Sequence, residues 1–179
     1  SMLTEAERMG EDIFSRENRM AHMTASAWVV NRDRTKVLLA YHNIYNSWAW
    51  LGGHADGERN LLSVAVREVC EESGLTPAHV RPAWLISQKG DLSQGSAGDI
   101  FSLEVLAVGG HFKKGEYISS HLHLNVTYLL ESDEEETLYK KEDENSSVKW
   151  FLPEEALAAS SEPWFAEHIY RKLNEKAGL

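Results

Sequence analysis

The sequence predicts an α/β fold in which a mixed β-sheet lies between two helical layers. Pairs of strand patterns are interrupted by helical patterns, and this order is typical of an α/β/α sandwich. The chain has 179 residues, of which 42% are hydrophobic and 26% are charged, as is ordinary for a globular protein with a substantial core. With no internal repeat or linker in the sequence, we expect a single domain over residues 1–179, with an N-terminal helical extension over residues 1–20.

Hydrophobic periodicity and turn residues predict the elements of the first half of the chain. A polar helix is expected over residues 4–20, and strands over 24–30 and 36–41 form a hairpin around the turn at 31–35. A third strand, over 47–51, leads into the double glycine Gly52-Gly53 and is followed by a helix over about 61–73.

The second half of the chain alternates in the same way. A strand is predicted around 83–88, and the Gly- and Ser-rich segment 89–98 has the composition of a flexible lid. The strongest strand patterns cover 100–108 and 121–130, and a strand over 148–152 closes the sheet. Helices are predicted over 153–159 and 163–176, each beginning at a proline, which the first turn of a helix tolerates.

The predicted helix over 61–73 has clear ends and one apolar face. Asn60 is suited to cap its N-terminus, and Gly74 stands where a left-handed C-cap residue is expected. Apolar residues recur at steps of three and four, so one side of the helix can pack on a sheet: Leu62, Ala65, Val66 and Val69. The charged residues therefore point away from that sheet.

Three glutamates share the polar face of this helix. Glu68, Glu71 and Glu72 stand at positions i, i+3 and i+4, so their Cα atoms lie within roughly 6 Å along the helix axis. Like charges at this spacing repel each other, and acids near the C-terminus of a helix are also unfavourably placed in its dipole. A bound divalent cation would offset both effects.

The segment that contains these glutamates resembles the Nudix box. The second half of that pattern is matched without exception, by Arg67, Glu68, Val69, Glu71, Glu72, Gly74 and Leu75. The first half departs, because Glu58 follows Gly53 after four residues instead of five, and Arg59 holds the position where the family has glutamate. The match covers residues 52–75 and predicts a Nudix-like α/β/α sandwich.

The resemblance implies an enzyme that hydrolyses a nucleoside diphosphate linked to another group X. It implies Mg2+ or Mn2+ as cofactor, with Glu68, Glu71, Glu72 and the carbonyl of Gly53 as metal ligands. Carboxylate oxygens suit hard cations of this kind, which usually share further oxygens with a substrate diphosphate. Glu71 and Glu72 are also catalytic candidates, and Arg67 is expected to orient a carboxylate.

Two further glutamates are candidates for catalysis. Glu58 is expected to replace the displaced glutamate of the box if its loop brings the carboxylate to the site. Glu144 lies in the acidic stretch before the strand at 148–152, where Nudix relatives often carry a ligand or a general base. The shift of Glu58 also motivates an alternative function, namely a nucleotide-binding or regulatory module that keeps the fold but has weak catalysis.

Four residues outside the glutamate helix are candidates for substrate contact. His121 and His123 share one face of a strand, His54 follows the double glycine, and Trp50 precedes it. The histidines suit a contact with substrate phosphate, while a structural role stays open. His111 is near in sequence, but ligand spacing typical of a zinc quartet is missing, so a zinc site is not predicted.

Composition restricts the partners and the compartment. A net charge of −10 argues against long nucleic acids, which need basic surface, but it permits a small phosphorylated metabolite or nucleotide that binds together with its metal. The single cysteine, Cys70, excludes an intrachain disulfide, and no apolar run is long enough to cross a membrane, so we expect a cytoplasmic protein. By resemblance a homodimer is an open alternative to a monomer.

Overall fold

The computed structural model describes residues 12–44, 46–83, 98–113, 115–139 and 145–179. One large mixed β-sheet forms the centre of this part of the chain. None of the helices in these ranges has the length and apolar character that crossing a membrane requires.

The central sheet has eight strands. They are β1 (Ala21–Asn31), β2 (Val37–His42), β3 (Ser47–Ala49), β4 (Leu51–His54), β5 (Arg81–Pro82), β6 (Ile100–Val108), β9 (His121–Ser132) and β10 (Asn145–Phe151). The main path runs β10-β2-β1-β9-β5, while β3 pairs with β2, β4 pairs with β1 and β6 pairs with β9. Two short strands, β7 (His111–Lys113) and β8 (Glu116–Ile118), form a separate hairpin that the sequence did not predict.

Strands β1 and β9 form the parallel centre of an otherwise antiparallel sheet. They pair in register over the whole length of β1, from Ala21 opposite Leu122 to Asn31 opposite Ser132. Most of β1 is buried on both faces, so apolar and polar residues do not alternate strictly along its sequence. Trp28 and Val30 point into one core, whereas Ala27 and Val29 point into the other.

Helices cover both faces of the sheet, as predicted for an α/β/α sandwich. Helix α1 (Leu61–Ser73) contributes Val64, Ala65 and Val69 to the core on one face. The other face is covered by α2 (Pro153–Ala159) and by a C-terminal helical segment made of α3 (Pro163–Phe165), a π-helical turn (Ala166–Tyr170) and α4 (Arg171–Ala177). Its buried residues include Ile169, Tyr170 and Leu173.

The ends of α1 confirm the sequence prediction residue by residue. The side chain of Asn60 accepts a hydrogen bond from Ser63 N, and Gly74 adopts a left-handed conformation while its N–H donates to the carbonyl of Cys70. These are the two local signals that marked the helix in the sequence.

The double glycine lies inside a strand, so the prediction that a strand ends before it was wrong. The strand is interrupted only at Trp50 and resumes as β4. In β4, Gly52 pairs with Ser26 and Gly53 pairs with Ala25. A Cβ atom on Gly52 would lie 2.6 Å from the carbonyl oxygen of Ala25, so only glycine permits this close pairing.

Residues 12–20 form turns and bends, so the predicted N-terminal helix does not extend into this part of the chain. The remainder of that helix lies outside the described residues. The same holds for nearly all of the predicted strand at 83–88 and for residues 89–97 of the predicted lid.

A buried polar network joins β6, β9 and α4. Glu104 accepts hydrogen bonds from Asn125 Nδ2 at 3.1 Å, from Thr127 Oγ1 at 2.8 Å and from Lys172 Nζ at 3.0 Å. Burial alone would raise the pKa of the Glu104 carboxyl, but these bonds and one from Ser102 favour the carboxylate and lower the pKa below its usual value. The network therefore stabilises the fold through an ionised, buried glutamate.

Replacing Glu104 with glutamine is expected to lower the free energy of unfolding by about 1–3 kcal/mol, since buried donors lose their charged acceptor. Because the pKa of Glu104 is lower in the folded state, its contribution is present at neutral pH and is lost as the pH falls through that lowered pKa. Urea denaturation of both proteins from neutral to acid pH should show the difference shrinking.

Glu154→Gln is the matched control for this prediction. Glu154 is exposed and lies 3.8 Å from Arg171, so its loss should change stability by less than about 0.5 kcal/mol. Equal effects of the two substitutions would contradict a special role for the buried network.

Candidate active site

A cleft of about 1630 Å³ lies where β1, β4, β9 and α1 meet. Its lining contains carboxylates from α1, the double glycine of β4 and a group of histidines from the strands. This is the place where nearly all the described candidates from the sequence come together.

Two glutamates of α1 converge on the double glycine. The carboxylate of Glu68 lies against the α-carbon of Gly53, in the space that a side chain at that position would occupy. The N–H of Gly52 donates to Glu72 Oε1 at 3.3 Å. Since β4 presents no side chains here, the helix can bring both carboxylates directly onto the strand.

Glu72 is the most deeply placed of the three glutamates, so the expectation that the charged residues of this helix point away from the sheet was wrong for this residue. Its side chain is 2% exposed, and its second oxygen lies 3.8 Å from Nε2 of His42. A carboxylate loses much hydration energy at such a depth, and hydrogen bonds or cations must offset that loss. The Gly52 N–H supplies part of the compensation, and a cation in the cleft would supply more.

Arg67 fixes the orientation of Glu68. Its Nη2 donates to Glu68 Oε1 at 2.8 Å and to the carbonyl oxygen of His54 at 3.1 Å, which ties the helix to β4. The hydrogen bond with Glu68 is the main reason that the pKa of Arg67 is raised. Arg67 therefore contacts the carboxylate that it was expected to orient, and its role in catalysis stays a prediction.

Glu71 is placed differently from its two neighbours. It is 47% exposed and lies 3.9 Å from Nε of Arg67, at the outer side of the cleft. Within the described residues, a set of histidines, and not the three glutamates, has its ligand atoms within 4.8 Å of one another. Glu68 and Glu72 are therefore the stronger candidates for direct coordination, and Glu71 as a ligand stays a prediction.

The donor set around the double glycine fits a hard divalent cation. It consists of carboxylate oxygens from Glu68 and Glu72, and Glu72 is deeply buried. Such ligands suit Mg2+ or Mn2+, which bind to few protein carboxylates and complete their coordination with water and substrate oxygens.

Glu58 stands apart from these residues. Its carboxylate is exposed and accepts a hydrogen bond from the N–H of Asn60 at 2.7 Å, so it serves the N-terminus of α1. Neither Glu58 nor Arg59 is among the described residues that line the cleft. The guanidinium of Arg59 instead lies 4.7 Å from the ring centre of Phe14. The predicted replacement of the displaced glutamate by Glu58 thus gains no support from its position.

The histidine candidates form a second group in the cleft. His54 and His123 are joined there by His22, whose ring centre lies 5.1 Å from that of His54 and 5.0 Å from that of His123. His121 stacks on His22 at 4.9 Å. Burial is the main cause that lowers the pKa of His54 to about 3 and of His123 to about 4, and it also lowers the pKa of His22. Sequence reasoning missed His22, because only strand register shows that it neighbours the others.

Aromatic residues form another part of the wall. Trp50 lines the cleft but is largely buried, with its ring centre 5.7 Å from that of Tyr170 and 6.4 Å from that of Phe165. Trp50 therefore belongs both to the hydrophobic core and to the wall of the cleft. Glu144, the candidate base, lies outside the described residues.

Cationic side chains from the segment before β1 line part of the cleft. Arg16 and Arg19 line it, and the guanidinium of Arg16 pairs with Asp56, which lowers the pKa of that carboxyl. These arginines add positive charge to the cleft that also contains the acidic residues of α1. The cleft therefore combines groups for a cation with groups that attract anions.

Comparison with known proteins agrees with this geometry. The family model described as NUDIX domain matches residues 20–173. No curated protein matched the sequence.

Several solved structures share the fold at low sequence identity. An Ap4A hydrolase from C. elegans is 16% identical, with 87% of this chain and 94% of that chain covered and a TM-score of 0.58. A MutT protein from Methanosarcina mazei Go1 is also 16% identical, with coverage of 88% and 96% and a TM-score of 0.58. A NUDIX family hydrolase from Clostridium perfringens is 24% identical, with coverage of 88% and 96% and a TM-score of 0.52.

A Gly53→Ala substitution is expected to displace the Glu68 carboxylate, because the added methyl group would occupy the same space. We expect Mn2+ to raise the melting temperature of the wild type and to raise that of this variant much less, since ligand-induced stabilisation depends on affinity. Thermal unfolding with and without Mn2+ measures the effect.

Gly109→Ala is a suitable control for Gly53→Ala. Gly109 also lines the cleft, but an added Cβ would meet open space there. This variant should respond to Mn2+ as the wild type does. A full Mn2+ response in Gly53→Ala would show that the position of Glu68 does not matter for the cation.

Proposed function

This chain belongs to the Nudix hydrolase family, a family of pyrophosphohydrolases, and we propose that it hydrolyses the diphosphate bond of a nucleoside diphosphate linked to another group X. The observation that carries the proposal is the convergence of Glu68 and Glu72 on the double glycine inside a large cleft. A surface helix that merely carried glutamates would leave them in solvent, whereas Glu72 is buried at the strand.

The proposed cofactor is Mg2+ or Mn2+, held by Glu68, Glu72 and the carbonyl of Gly53, with Glu71 as a further candidate. When bound, such an ion neutralises diphosphate charge and lowers the pKa of a bound water. The protein's own contribution is to keep the ligands in place before substrate arrives. Arg67 does this for Glu68, and the Gly52 N–H does it for Glu72.

The cleft offers complementary groups to an anionic substrate. Arg16 and Arg19 line the same cleft as the carboxylates and are proposed to bind terminal phosphates or the charged part of X. With a net charge of −10, the rest of the surface disfavours polyanions such as long nucleic acids. A small phosphorylated metabolite or nucleotide in the cytoplasm is therefore the proposed substrate.

For the group X we propose only a chemical class. Solved structures with this fold include one named as an Ap4A hydrolase and one named as a dihydroneopterin triphosphate pyrophosphohydrolase, with identities of 16% and 14%. Both names contain a polyphosphate linked to a larger organic group. A substrate panel should therefore begin with nucleotides, nucleotide sugars and dinucleoside polyphosphates.

Two proposed catalytic residues have weaker structural support. Glu144 stays a prediction by resemblance, and Glu71 is suited by its exposure to a water-facing role at the mouth of the cleft. Glu58 would join them only if its loop moved, since its carboxylate now caps the start of α1.

The position of Glu58 is also what favours a second candidate function. A chain that binds nucleotides but turns them over weakly would tolerate the loss of this carboxylate from the cleft. In that case nucleotides would bind tightly with Mg2+ present and would remain intact.

Glu72→Gln is expected to lower kcat at least about 100-fold on any substrate found in the panel, because the change removes a charged ligand while preserving its shape. Release of phosphate or pyrophosphate in the presence of Mg2+ or Mn2+ is the measurement. Thermal unfolding without metal should confirm that the variant is folded.

Glu58→Gln is the informative companion to Glu72→Gln. If the exposed Glu58 has only its local role at the helix end, turnover should stay within about 3-fold of the wild type, as for a substitution that affects stability slightly. A loss comparable to that in Glu72→Gln would place Glu58 among the catalytic residues. Inactivity of the wild type across a broad panel, together with tight nucleotide binding, would instead favour the regulatory module.

A further inference from the structure

Strand register brings together histidines that are far apart in the sequence. His22 of β1 is the register partner of His123 on the parallel strand β9. On the other side of β1, His54 of β4 is the partner of Thr24, two residues beyond His22. Side chains two residues apart and register partners share a face, so the three imidazoles meet on one side of the sheet.

The ligand atoms of these histidines are close enough for a common ion. One nitrogen from each of His22, His54 and His123 lies within 4.8 Å of the others. Nitrogens bound at about 2.0–2.1 Å to a tetrahedral ion are roughly 3.3 Å apart, so metal binding would draw the rings slightly together. Nε2 atoms of His121 and His123 are already separated by 3.2 Å.

The hydrogen bonds around the cluster present nitrogen lone pairs to its centre. Nδ1 of His22 lies 3.0 Å from the carbonyl oxygen of Asn18, and Nδ1 of His121 lies 2.8 Å from that of Ser119. A carbonyl only accepts, so each Nδ1 carries the proton and each Nε2 is left as a lone-pair donor. Backbone carbonyls orient the ligating histidines of known metal sites in the same way.

His22 supplies a second and independent indication of a ligand. Its side chain is 4% exposed, and its Nε2 has no hydrogen-bond partner among the described residues. A buried polar atom without a partner destabilises the fold, so such atoms usually have a function or a bound partner. Coordination of an ion would satisfy this nitrogen.

We propose that His22, His54 and His123 bind a divalent transition metal of the zinc type, with His121 in contact with two of these rings. This centre is distinct from the carboxylate site, because imidazole nitrogens prefer Zn2+, Co2+ or Ni2+, whereas carboxylate oxygens suit Mg2+. It also revises the expectation from sequence spacing, which did not predict zinc.

The hydrogen bonds of the cluster favour a metal over an anion. Backbone carbonyls hold the Nδ1 protons of His22 and His121, so the Nε2 atoms of these rings present lone pairs. A lone pair binds a metal ion and repels a phosphate oxygen. The cluster is therefore better suited to a cation than to a substrate phosphate.

The two donor sets lie on opposite sides of one short strand. Gly53 faces α1 and contacts Glu68, while the next residue, His54, faces the other histidines. Both sets line the same cleft. A metal on the histidines would thus stand beside the proposed diphosphate site, with space on its cleft side for a water or a substrate oxygen.

Titration of the metal-free protein with Co2+ tests the proposal. Wild type is expected to bind a single high-affinity equivalent with visible d–d bands typical of low-coordinate nitrogen ligation, and Zn2+ should displace it. His54→Gln and His123→Gln should each weaken Co2+ binding by at least about 10–100-fold. Circular dichroism and thermal unfolding would show that both variants are folded.

Two control variants separate this centre from other sites. His168→Gln changes an exposed histidine on the C-terminal helical segment and should leave the Co2+ spectrum unchanged. Glu72→Gln should also keep the Co2+ spectrum, although it removes a proposed Mg2+ ligand. Hydrolase activity is measured separately with Mg2+ alone, so failure of either proposal can be recognised without the other.

Several outcomes would overturn the proposal. These are a wild type that binds no Co2+ or Zn2+ tightly, histidine variants with unchanged affinity, and a spectrum that disappears in Glu72→Gln. An intense near-ultraviolet thiolate band would assign the ion to Cys70, the single cysteine, and would likewise exclude the histidine centre.

Discussion

The close approach of α1 to β4 at two glycines is the constraint on which the site depends. A β-strand normally presents alternating side chains that keep a packed helix about one side-chain length away. Gly53 has no side chain, and the Glu68 carboxylate of α1 occupies that space, while the N–H of Gly52 donates to Glu72 Oε1. The rest of the fold holds this approach in place, since β4 pairs with β1 and β1 is buried between two helical layers. The site is thus a local gap in the packing that the surrounding sandwich keeps rigid.

Local signals in the sequence predicted the parts of the structure that local interactions determine. Helix α1 has its cap at Asn60 and its left-handed end at Gly74 as expected, because each signal acts within a few residues. The strand end before the double glycine was wrong for the opposite reason. Whether Gly52 and Gly53 form a turn or a strand is decided by pairing with Ser26 and Ala25, which are distant in the sequence. Glycine permits both conformations, so its presence alone does not choose between them.

The same distinction explains which site residues the sequence could identify. Arg67, Glu68 and Glu72 lie on one helix, so helical periodicity was enough to place them together. The histidine cluster draws on β1, β4 and β9, and its members meet only through the parallel register of His22 with His123 and the pairing of Thr24 with His54. The spacing of these histidines along the chain does not predict that register. Zinc motifs that are recognised from sequence are those whose ligands are close along the chain, and this cluster is of the other kind.

One thin strand separates two donor sets of different chemistry, and this separation has a consequence for metal selectivity. Sites with imidazole ligands bind late transition metals far more tightly than Mg2+, whereas abundant Mg2+ competes well for carboxylates that also face a diphosphate. Adjacent sites built from one ligand type would fill with the same ion. Here the alternation of β4 directs Gly53 toward the glutamates and His54 toward the histidines, so consecutive residues contribute to different coordination chemistries. In the proposed arrangement, the register of β4 against β1 is what would let a single cleft hold two unlike cations without exchanging them.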